Sequence, residues 1–595
     1  MPPKSPSQEL PSPLDVAEAM SKMGAQLQSL LAQFSAAASD QDQQNFDPLG
    51  VLPAFSAFSA DLLRNPAQVL DAQAQAWQTY LEIWTNSAQR LWGLEAEPAA
   101  ASEPGDRRFN AEDWAHNPLF DFLRQTYLAN GQLLRNMVAD SDSLDDKTAA
   151  KVAFYMDQFI DAMAPTNFIL TNPEVLHATV SSGGQNLVDG LKNFLEDIDP
   201  DTGTLRMRMV DKSAFELGKN VAMSPGSVVY QNELMQLIQY APATEEVCQR
   251  PLLIVPPWIN KFYILDLQPK NSFIKAAVEQ GETVFLISWV NPDESLADMD
   301  FSDYMRLGPL AALSAIEQAT GEASCNAIGY CLGGTLLAAT LAVMKERDDQ
   351  RIHAATFFTA MIDFSEPGDL GVFIDEEQLS GIEATMAERG YLDGAEMAST
   401  FNMLRANDLI WSFVVNNYLL GRKPMAFDLL FWNADSTRMP ARMHSTYLRE
   451  MYLHNKLCRP GGMTIEGTAI DLAQVDIPIC FVSAHDDHIA PWKSTFQGAL
   501  LFPGDVTFIL GQAGHIAGII NPPGPRQYGH YTGPAPSGHN ADSWLVEATH
   551  HETSWWPTWS TWVATHGGDK VPAREPGSGG LAAIEAAPGS YVVAG

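Results

Sequence analysis

Asn326-Ala327-Ile328-Gly329-Tyr330-Cys331-Leu332-Gly333-Gly334-Thr335 is the stretch that decides the fold. A β-prone run ends at Gly329, and a helix-prone run from Leu336 through Met344 begins just after Thr335. Between them stands Gly-x-Cys-x-Gly, the pattern of a sharp strand-to-helix elbow, with cysteine where serine is usual. The glycines have a steric reason. The apex residue of such an elbow is strained, and side chains two positions away would collide with the neighbouring strand and helix. The turn lifts the apex sulfur above the sheet edge, and the N-terminus of the following helix favours negative charge there.

Outward from the elbow, short apolar strands alternate with helices. Pro251 to Val255, Thr283 to Val290, Cys325 to Tyr330 and Ala354 to Ala360 read as strands; Ser272 to Gln280 and Asp303 to Gln318 read as helices. Continuous apolar strands separated by helices predict a parallel, doubly covered sheet, hence an α/β fold. The next strands come only at Ile479 to Val482 and Val506 to Leu510. The helical, aromatic-rich stretch between, about 366–465, is too long for an ordinary connection and reads as a cap over the strand ends, where such folds place their sites.

The late strands supply partners for the cysteine. A cysteine nucleophile needs a base, and the base an orienting acid. In an α/β-hydrolase these follow in chain order, acid then histidine, each after a late strand. The first late strand leads into Ala484-His485-Asp486-Asp487-His488, the second into Gly511-Gln512-Ala513-Gly514-His515. His515 suits the base. Asp487 is preferred to Asp486 as the acid because it lies further from the strand end. His485 and His488 lack the further clustered ligands a metal site needs, so no metal is expected; His488 is a candidate for assisting near the thiol. The oxyanion hole calls for the N–H of Leu332 and a second donor after Val255. Pro256 and Pro257 have no N–H, which leaves Trp258 or Ile259, with Ile259 favoured.

The remainder bounds the function. The 595 residues carry 46% hydrophobic side chains and a net charge of -36, which disfavours a nucleic-acid partner. Five scattered cysteines make no disulfide framework, which fits a reducing cytoplasm. No apolar run reaches membrane-spanning length, and the start of the chain lacks a signal-like apolar segment. Residues 1–13 read as disordered, and Val16, Met20, Met23, Leu27, Leu30 and Phe34 as an amphipathic helix, so that 1–45 forms an N-terminal extension. Trp77, Leu81, Trp84 and Trp92 line one face of a second helix, more often core or oligomer contact than a ligand box, though such a face also suits a hydrophobic surface or a partner helix. A linker is read over 96–108, a helical N-terminal domain over 46–210, and the catalytic domain over 211–595.

Cysteine as nucleophile points to acyl transfer. Passing an acyl group from a thioester to a thiol is nearly isoenergetic, and the enzyme-bound thioester stays reactive toward an alcohol while a cap excludes water.

These residues resemble the polyhydroxyalkanoate synthase family. Besides the elbow, the likeness rests on Val255-Pro256-Pro257-Trp258-Ile259-Asn260-Lys261, Ser288-Trp289-Val290-Asn291-Pro292-Asp293, Phe427-Asp428-Leu429-Leu430-Phe431-Trp432-Asn433, Asp487-His488-Ile489-Ala490-Pro491-Trp492, Gly514-His515-Ile516-Ala517-Gly518, Gly529-His530-Tyr531 and Ser554-Trp555-Trp556-Pro557. Its length and N-terminal extension resemble the class that works as a single subunit type on short-chain monomers. The resemblance implies polymerisation of (R)-3-hydroxyacyl-coenzyme A into polyester with release of coenzyme A and no cofactor beyond that thioester substrate. It implies a growing chain on Cys331, His515 activating the thiol or the incoming 3-hydroxyl, and Asp487 orienting His515 or assisting deprotonation. It further implies contacts from Arg405 and Asn455 to coenzyme A, a homodimer formed through the cap, and a cytoplasmic location on polyester granules, with granule-associated proteins as partners. Two other functions compete: a cysteine hydrolase like the dienelactone hydrolases, which share Gly-Tyr-Cys-Leu-Gly-Gly, and a granule scaffold with a dormant hydrolase core.

Overall fold

The alternating texture beyond residue 225 becomes, in a computed structural model of the chain, one eleven-stranded sheet. The structure describes residues 51–594 apart from 93, 95, 103–105, 142, 201 and 202. The amphipathic helix read over Val16 to Phe34 lies outside the described residues. The chain forms two compact units, one comprising residues up to Asp211 together with Phe401–Met425, the other Lys212–Thr400 with the residues from Ala426 onward.

In the second unit the strands are β1 (Gly226–Gln231), β2 (Met235–Tyr240), β3 (Leu252–Val255), β4 (Val284–Trp289), β5 (Cys325–Tyr330), β6 (Ile352–Phe358), β7 (Ile479–Ala484), β8 (Val506–Gly511), β9 (His530–Thr532), β10 (Thr549–His551) and β11 (Glu585–Ala586). Their order across the sheet is β10-β9-β8-β7-β6-β5-β3-β4-β2-β1-β11. The run from β8 to β4 is parallel throughout. Beyond these expected parallel strands both margins are antiparallel: β2, β1 and β11 beyond β4, and β9 and β10 beyond β8. The strands β2, β4, β5 and β7 are buried along their whole length, as strands covered on both faces must be.

The single helix expected over Asp303 to Gln318 is broken. It runs Phe301–Met305, passes through a π-helical turn Arg306–Leu310 and resumes as Ala311–Thr320. Gly308 leaves helical geometry at φ -91° and ψ -107°. The Trp289 ring occupies the space a Gly308 side chain would take, 2.4 Å from an ideal Cβ, and Pro309 follows.

In the first unit, α1 (Val51–Arg64), α2 (Pro66–Leu91), α3 (Pro118–Ala139), α4 (Asp146–Ala162), α5 (Pro173–Ser181) and α6 (Gln185–Glu196) make a helical body. Its core gathers Phe58, Val138, Val152, Met156 and Ile160. The segment 401–425 falls within the insert expected over about 366–465, yet packs with these helices. At Gly190 a side chain would lie 1.8 Å from the Tyr418 carbonyl oxygen, and Asn186 and Asn193 donate to the carbonyls of Leu419 and Asn417. Asparagines on one helix thus hold the π-helical turn Val414–Leu419, more than two hundred residues later. No helix among the described residues is long and apolar enough to cross a membrane.

Candidate active site

Cys331 stands between the end of β5 and α7 (Leu332–Glu346), with φ 51° and ψ -123°. A non-glycine residue held there stores about 1–3 kcal/mol of strain, which surrounding contacts must over-determine. Those contacts leave no room for side chains at the flanking glycines. An ideal Cβ on Gly329 would lie 2.4 Å from Gly334 Cα, one on Gly333 2.0 Å from the Val255 carbonyl oxygen, and one on Gly334 2.3 Å from Ala360 Cβ. The Cys331 N–H donates to the Phe358 carbonyl at the end of β6, 2.9 Å away. Every residue of α7 from Leu332 to Met344 is buried, so the elbow cannot relax by tilting its helix.

The loop after β3 runs against the first turn of α7, as the Gly333 contact with Val255 and Pro256 shows. Trp289 Nε1 donates to the Pro256 carbonyl at 2.8 Å, and the Thr437 side chain and N–H hold the Trp258 and Ile259 carbonyls. Leu332, first residue of α7, has an N–H with no acceptor inside its own helix. Leu332 and Ile259, the two residues expected to supply oxyanion donors, stand at this helix start and in the clamped loop beside it.

The acid and the base follow β7 and β8, adjacent parallel strands whose carboxyl ends lie on the same side as that of β5. Asp487 Oδ1 accepts from the N–H groups of Ile489 and Ala490, both at 2.8 Å. Its Oδ2 lies 2.7 Å from His515 Nδ1, with both side chains buried. The Cys331 sulfur acts on the same imidazole. Burial alone would lower the His515 pKa, but the Asp487 carboxylate and the Cys331 sulfur overcome it and hold the imidazolium well above its ordinary range. Tyr330 stacks on the imidazole at 6.0 Å between ring centres. Asp487, Cys331 and His515 are thus brought together from three strand ends.

Asp486 and His485 face outward, paired to one another at 2.8 Å with His485 stacked on Trp492. His488 is half-buried in the same loop. No cluster of histidine, cysteine, aspartate and glutamate able to hold a metal ion occurs among the described residues. Arg405 belongs to the first unit, half-exposed, with Nε 4.0 Å from Asp408 Oδ2. Asn455, at φ 46°, uses its amide within the chain: Oδ1 accepts from the Phe364 N–H and Nδ2 donates to Asp363, at 2.9 and 2.8 Å.

Three supports were not singled out from sequence. The histidine loop is tied down by two tryptophans, Trp555 Nε1 donating to the Gly518 carbonyl at 2.7 Å and Trp556 Nε1 to Ile519 at 2.9 Å. Tyr330 sat in the elbow motif but signalled nothing about the imidazole it would meet. Tyr447 and Tyr452 meet edge-on at 5.5 Å between ring centres, and burial, with the Cys331 sulfur as a further cause, raises both phenol pKa values. They stand five residues apart across the π-helical turn Leu448–Leu453. That spacing is invisible to a search built on the α-helical period.

Comparison with known proteins gives the family of the chain. Residues 105–277 match the family described as poly-beta-hydroxybutyrate polymerase (PhaC) N-terminus, and residues 250–522 match the alpha/beta hydrolase fold. The chain is 51% identical over 530 residues to the poly(3-hydroxyalkanoate) polymerase subunit PhaC of Rhizobium meliloti (strain 1021), covering 89% of this chain and 86% of that protein. It is 50% identical over 531 residues to the poly(3-hydroxyalkanoate) polymerase of Methylorubrum extorquens, covering 89% and 87%. Against the PhaC subunit of Cupriavidus necator the identity is 41% over 536 residues, covering 89% of each. With an α/β-hydrolase sheet, a strained strand-to-helix elbow bearing cysteine and relatives of this identity over nearly nine-tenths of its length, the chain belongs to the poly(3-hydroxyalkanoate) polymerase family.

Proposed function

We propose that this chain polymerises (R)-3-hydroxyacyl-coenzyme A into polyester through a covalent thioester on Cys331. The observation that carries the reading is the buried Asp487–His515 pair at 2.7 Å, whose imidazole also feels the sulfur of Cys331 at a strained elbow. His515 takes the proton of the thiol, and Sγ attacks the thioester carbonyl of the substrate. The oxygen that becomes negative is met by the Leu332 N–H and by Ile259 in the loop after β3. The carbon–sulfur bond to coenzyme A breaks, and the departing thiolate leaves with the proton held by His515. The 3-hydroxyl of a further substrate then attacks the Cys331 thioester, with His515 receiving the hydroxyl proton and passing it to the freed sulfur. The ester, longer by one unit and still carried on coenzyme A, reloads Cys331 with release of coenzyme A. Asp487 holds the imidazole in the tautomer and orientation both halves need.

The chain works in this reading as a cytoplasmic homodimer attached to polyester granules. Support for the attachment comes from α2, where Trp77, Leu81 and Trp84 are 69%, 65% and 69% exposed, an apolar face suited to a hydrophobic surface.

The test is thiol release from (R)-3-hydroxybutyryl-coenzyme A with turbidity followed in parallel, for the intact chain and for Cys331→Ala. Thiol release with growing turbidity, both abolished by the substitution, is the expected result. Thiol release without polymer would replace the synthase with a hydrolase, and activity surviving Cys331→Ala would remove the covalent intermediate.

A further inference from the structure

A line of three side chains, Lys570, Cys248 and Glu282, takes no part in the chemistry proposed for Cys331. The short strand Glu246–Cys248 pairs antiparallel with Lys570–Pro572, and the register sets Lys570 directly opposite Cys248. Residues so paired hold their Cβ atoms about 4.5–5.5 Å apart, which lets the lysine chain reach the cysteine. Lys570 Nζ donates to Cys248 Sγ at 3.3 Å, and the thiol in turn donates to Glu282 Oε1 at 3.5 Å. Cys248 and Glu282 are buried, whereas Lys570 is exposed and meets the sulfur from the solvent side. The backbone fixes the arrangement: the Cys248 N–H donates to the Gly281 carbonyl and the Gln249 N–H to the Asp569 carbonyl, both at 2.8 Å.

Two observations set this line apart from an ordinary buried contact. Glu282 Oε2 has no hydrogen-bond partner among the described residues, although the side chain is 2% exposed. A half-satisfied buried carboxyl costs stability and calls for a chemical reason. Burial, partly offset by the Cys248 hydrogen bond and the Lys570 charge, lifts its pKa to about 7, where it takes up or gives off a proton near neutrality. The second observation is how tightly the contact is accommodated. A Cβ on Gly567 would lie 2.7 Å from the Cys248 sulfur, and one on Gly281 3.1 Å from Lys570 Nζ. A side chain at either glycine would push sulfur and amine apart.

We infer that Cys248 and Lys570 form a redox-reversible covalent bridge, a single oxygen atom joining Sγ to Nζ, with dioxygen as the oxidant. The Lys570 ammonium first sheds a proton through the thiol: the sulfur's hydrogen passes to the Glu282 carboxylate, and one from the ammonium replaces it. The S–H bond and one N–H bond of the neutral amine then break, S–O and N–O bonds form, and the O–O bond of dioxygen breaks. The second oxygen leaves as water with those two hydrogens. Sulfur and nitrogen each lose two electrons, and dioxygen gains all four. Excess small-molecule thiol returns the four electrons and regenerates thiol, amine and water. The closed bridge joins residues 322 apart, so it removes much of the freedom of the unfolded chain. It also staples the segment that follows helix Trp556–Thr565 to the strand that leads into β3. None of this depends on the polymerisation reading.

The test is mass spectrometry of the full chain, purified reduced under argon, freed of thiol and then held under isotopically labelled dioxygen or under argon. Dioxygen is expected to add one labelled oxygen less two hydrogens, and digestion should find it in a cross-linked pair of peptides carrying Cys248 and Lys570. Dithiothreitol should erase the product. Lys570→Arg keeps the charge and a donor at an exposed position but cannot form the bridge, so it and Cys248→Ser should lack the cross-linked pair. Glu282→Gln removes the proton acceptor and should slow bridging by roughly 10- to 100-fold. The bridged chain should unfold at a higher midpoint than the reduced one, and Lys570→Arg should abolish that difference. Equal midpoints of the reduced Lys570→Arg and reduced intact chains separate a missing bridge from a folding defect. A Cys248 thiol that still alkylates in full after dioxygen would overturn the inference. So would a gain of whole oxygen atoms that persists in Lys570→Arg, since Cys248 would then be undergoing ordinary thiol oxidation. An unlabelled bridge would overturn the dioxygen step.

Discussion

Two tryptophan-rich helices in this chain look alike on paper and do opposite things. On α2, Trp77 and Trp84 stand in solvent, while the buried side of the same helix is carried by Ile83. On α8 (Trp556–Thr565) and at its cap, Trp555, Trp556 and Trp559 are all buried, and each indole N–H has an acceptor: the carbonyls of Gly518 and Ile519 and the hydroxyl of Thr356. The difference teaches what an aromatic run encodes. Spacing says that one helix face is apolar. Whether the face is core depends on acceptors waiting for the indole N–H groups, and those are supplied by loops elsewhere in the chain.

The comparison can be broken at its most demanding end first. In the catalytic unit a single atom should matter. Asp487→Asn keeps an oxygen for the Ile489 and Ala490 N–H groups but turns an amide toward His515, which favours the wrong tautomer. Thiol release should fall by roughly 1,000- to 10,000-fold with the fold intact. A loss under tenfold would mean that the carboxylate does not set the imidazole. Trp555→Ala should cost about 3–5 kcal/mol in denaturant unfolding, through the cavity and the orphaned Gly518 carbonyl. Activity should fall with it, because the His515 loop loses its tie; a cost below 1 kcal/mol would place Trp555 with the α2 face.

A smaller effect is expected in pH dependence. The His515 pKa is raised in the folded chain, chiefly against its burial and by Asp487 and Cys331. The resulting stability is present in full below about 6.5, the unfolded value. It is lost as pH rises through the folded value, about 10. The unfolding midpoint should therefore drop between those limits, and His515→Gln should remove that part of the slope; an identical slope in the variant would contradict it. Smallest of all, Trp77→Ser with Trp84→Ser should change stability by no more than about 0.5 kcal/mol and leave thiol release alone. The double variant should nonetheless bind polyester particles more weakly in a sedimentation assay. A larger stability cost would show that the face is covered by the protein itself.

The site was more legible than the frame around it. The elbow glycines, the cysteine and the two late strand-to-loop transitions are local signals, each written in fewer than ten residues, and the structure joins their ends. β2 was illegible because Gln236 and Gln239 interrupt its apolar run. Both are buried, and besides the nearby Gln231 their partners lie far along the chain: Glu585 and Ser590 for Gln236, the Arg574 carbonyl for Gln239. The break at Gly308 was hidden for the same reason, since it is the Trp289 ring that forbids a side chain there. The pair Tyr447 and Tyr452 follows a five-residue step that neither regular period contains. What local sequence cannot express is a requirement set by a distant residue.

The placement of β11 has a consequence for synthesis. β1 begins at residue 226 and takes its outer neighbour from Glu585–Ala586, so its edge waits for more than three hundred and fifty further residues to leave the ribosome. The tryptophans that fasten the His515 loop emerge almost as late. A nascent chain therefore carries Cys331 long before the His515 loop can be fastened beside it. Polymerisation cannot begin on the translating ribosome, and the open β1 edge is the surface on which unfinished chains would first pair with one another.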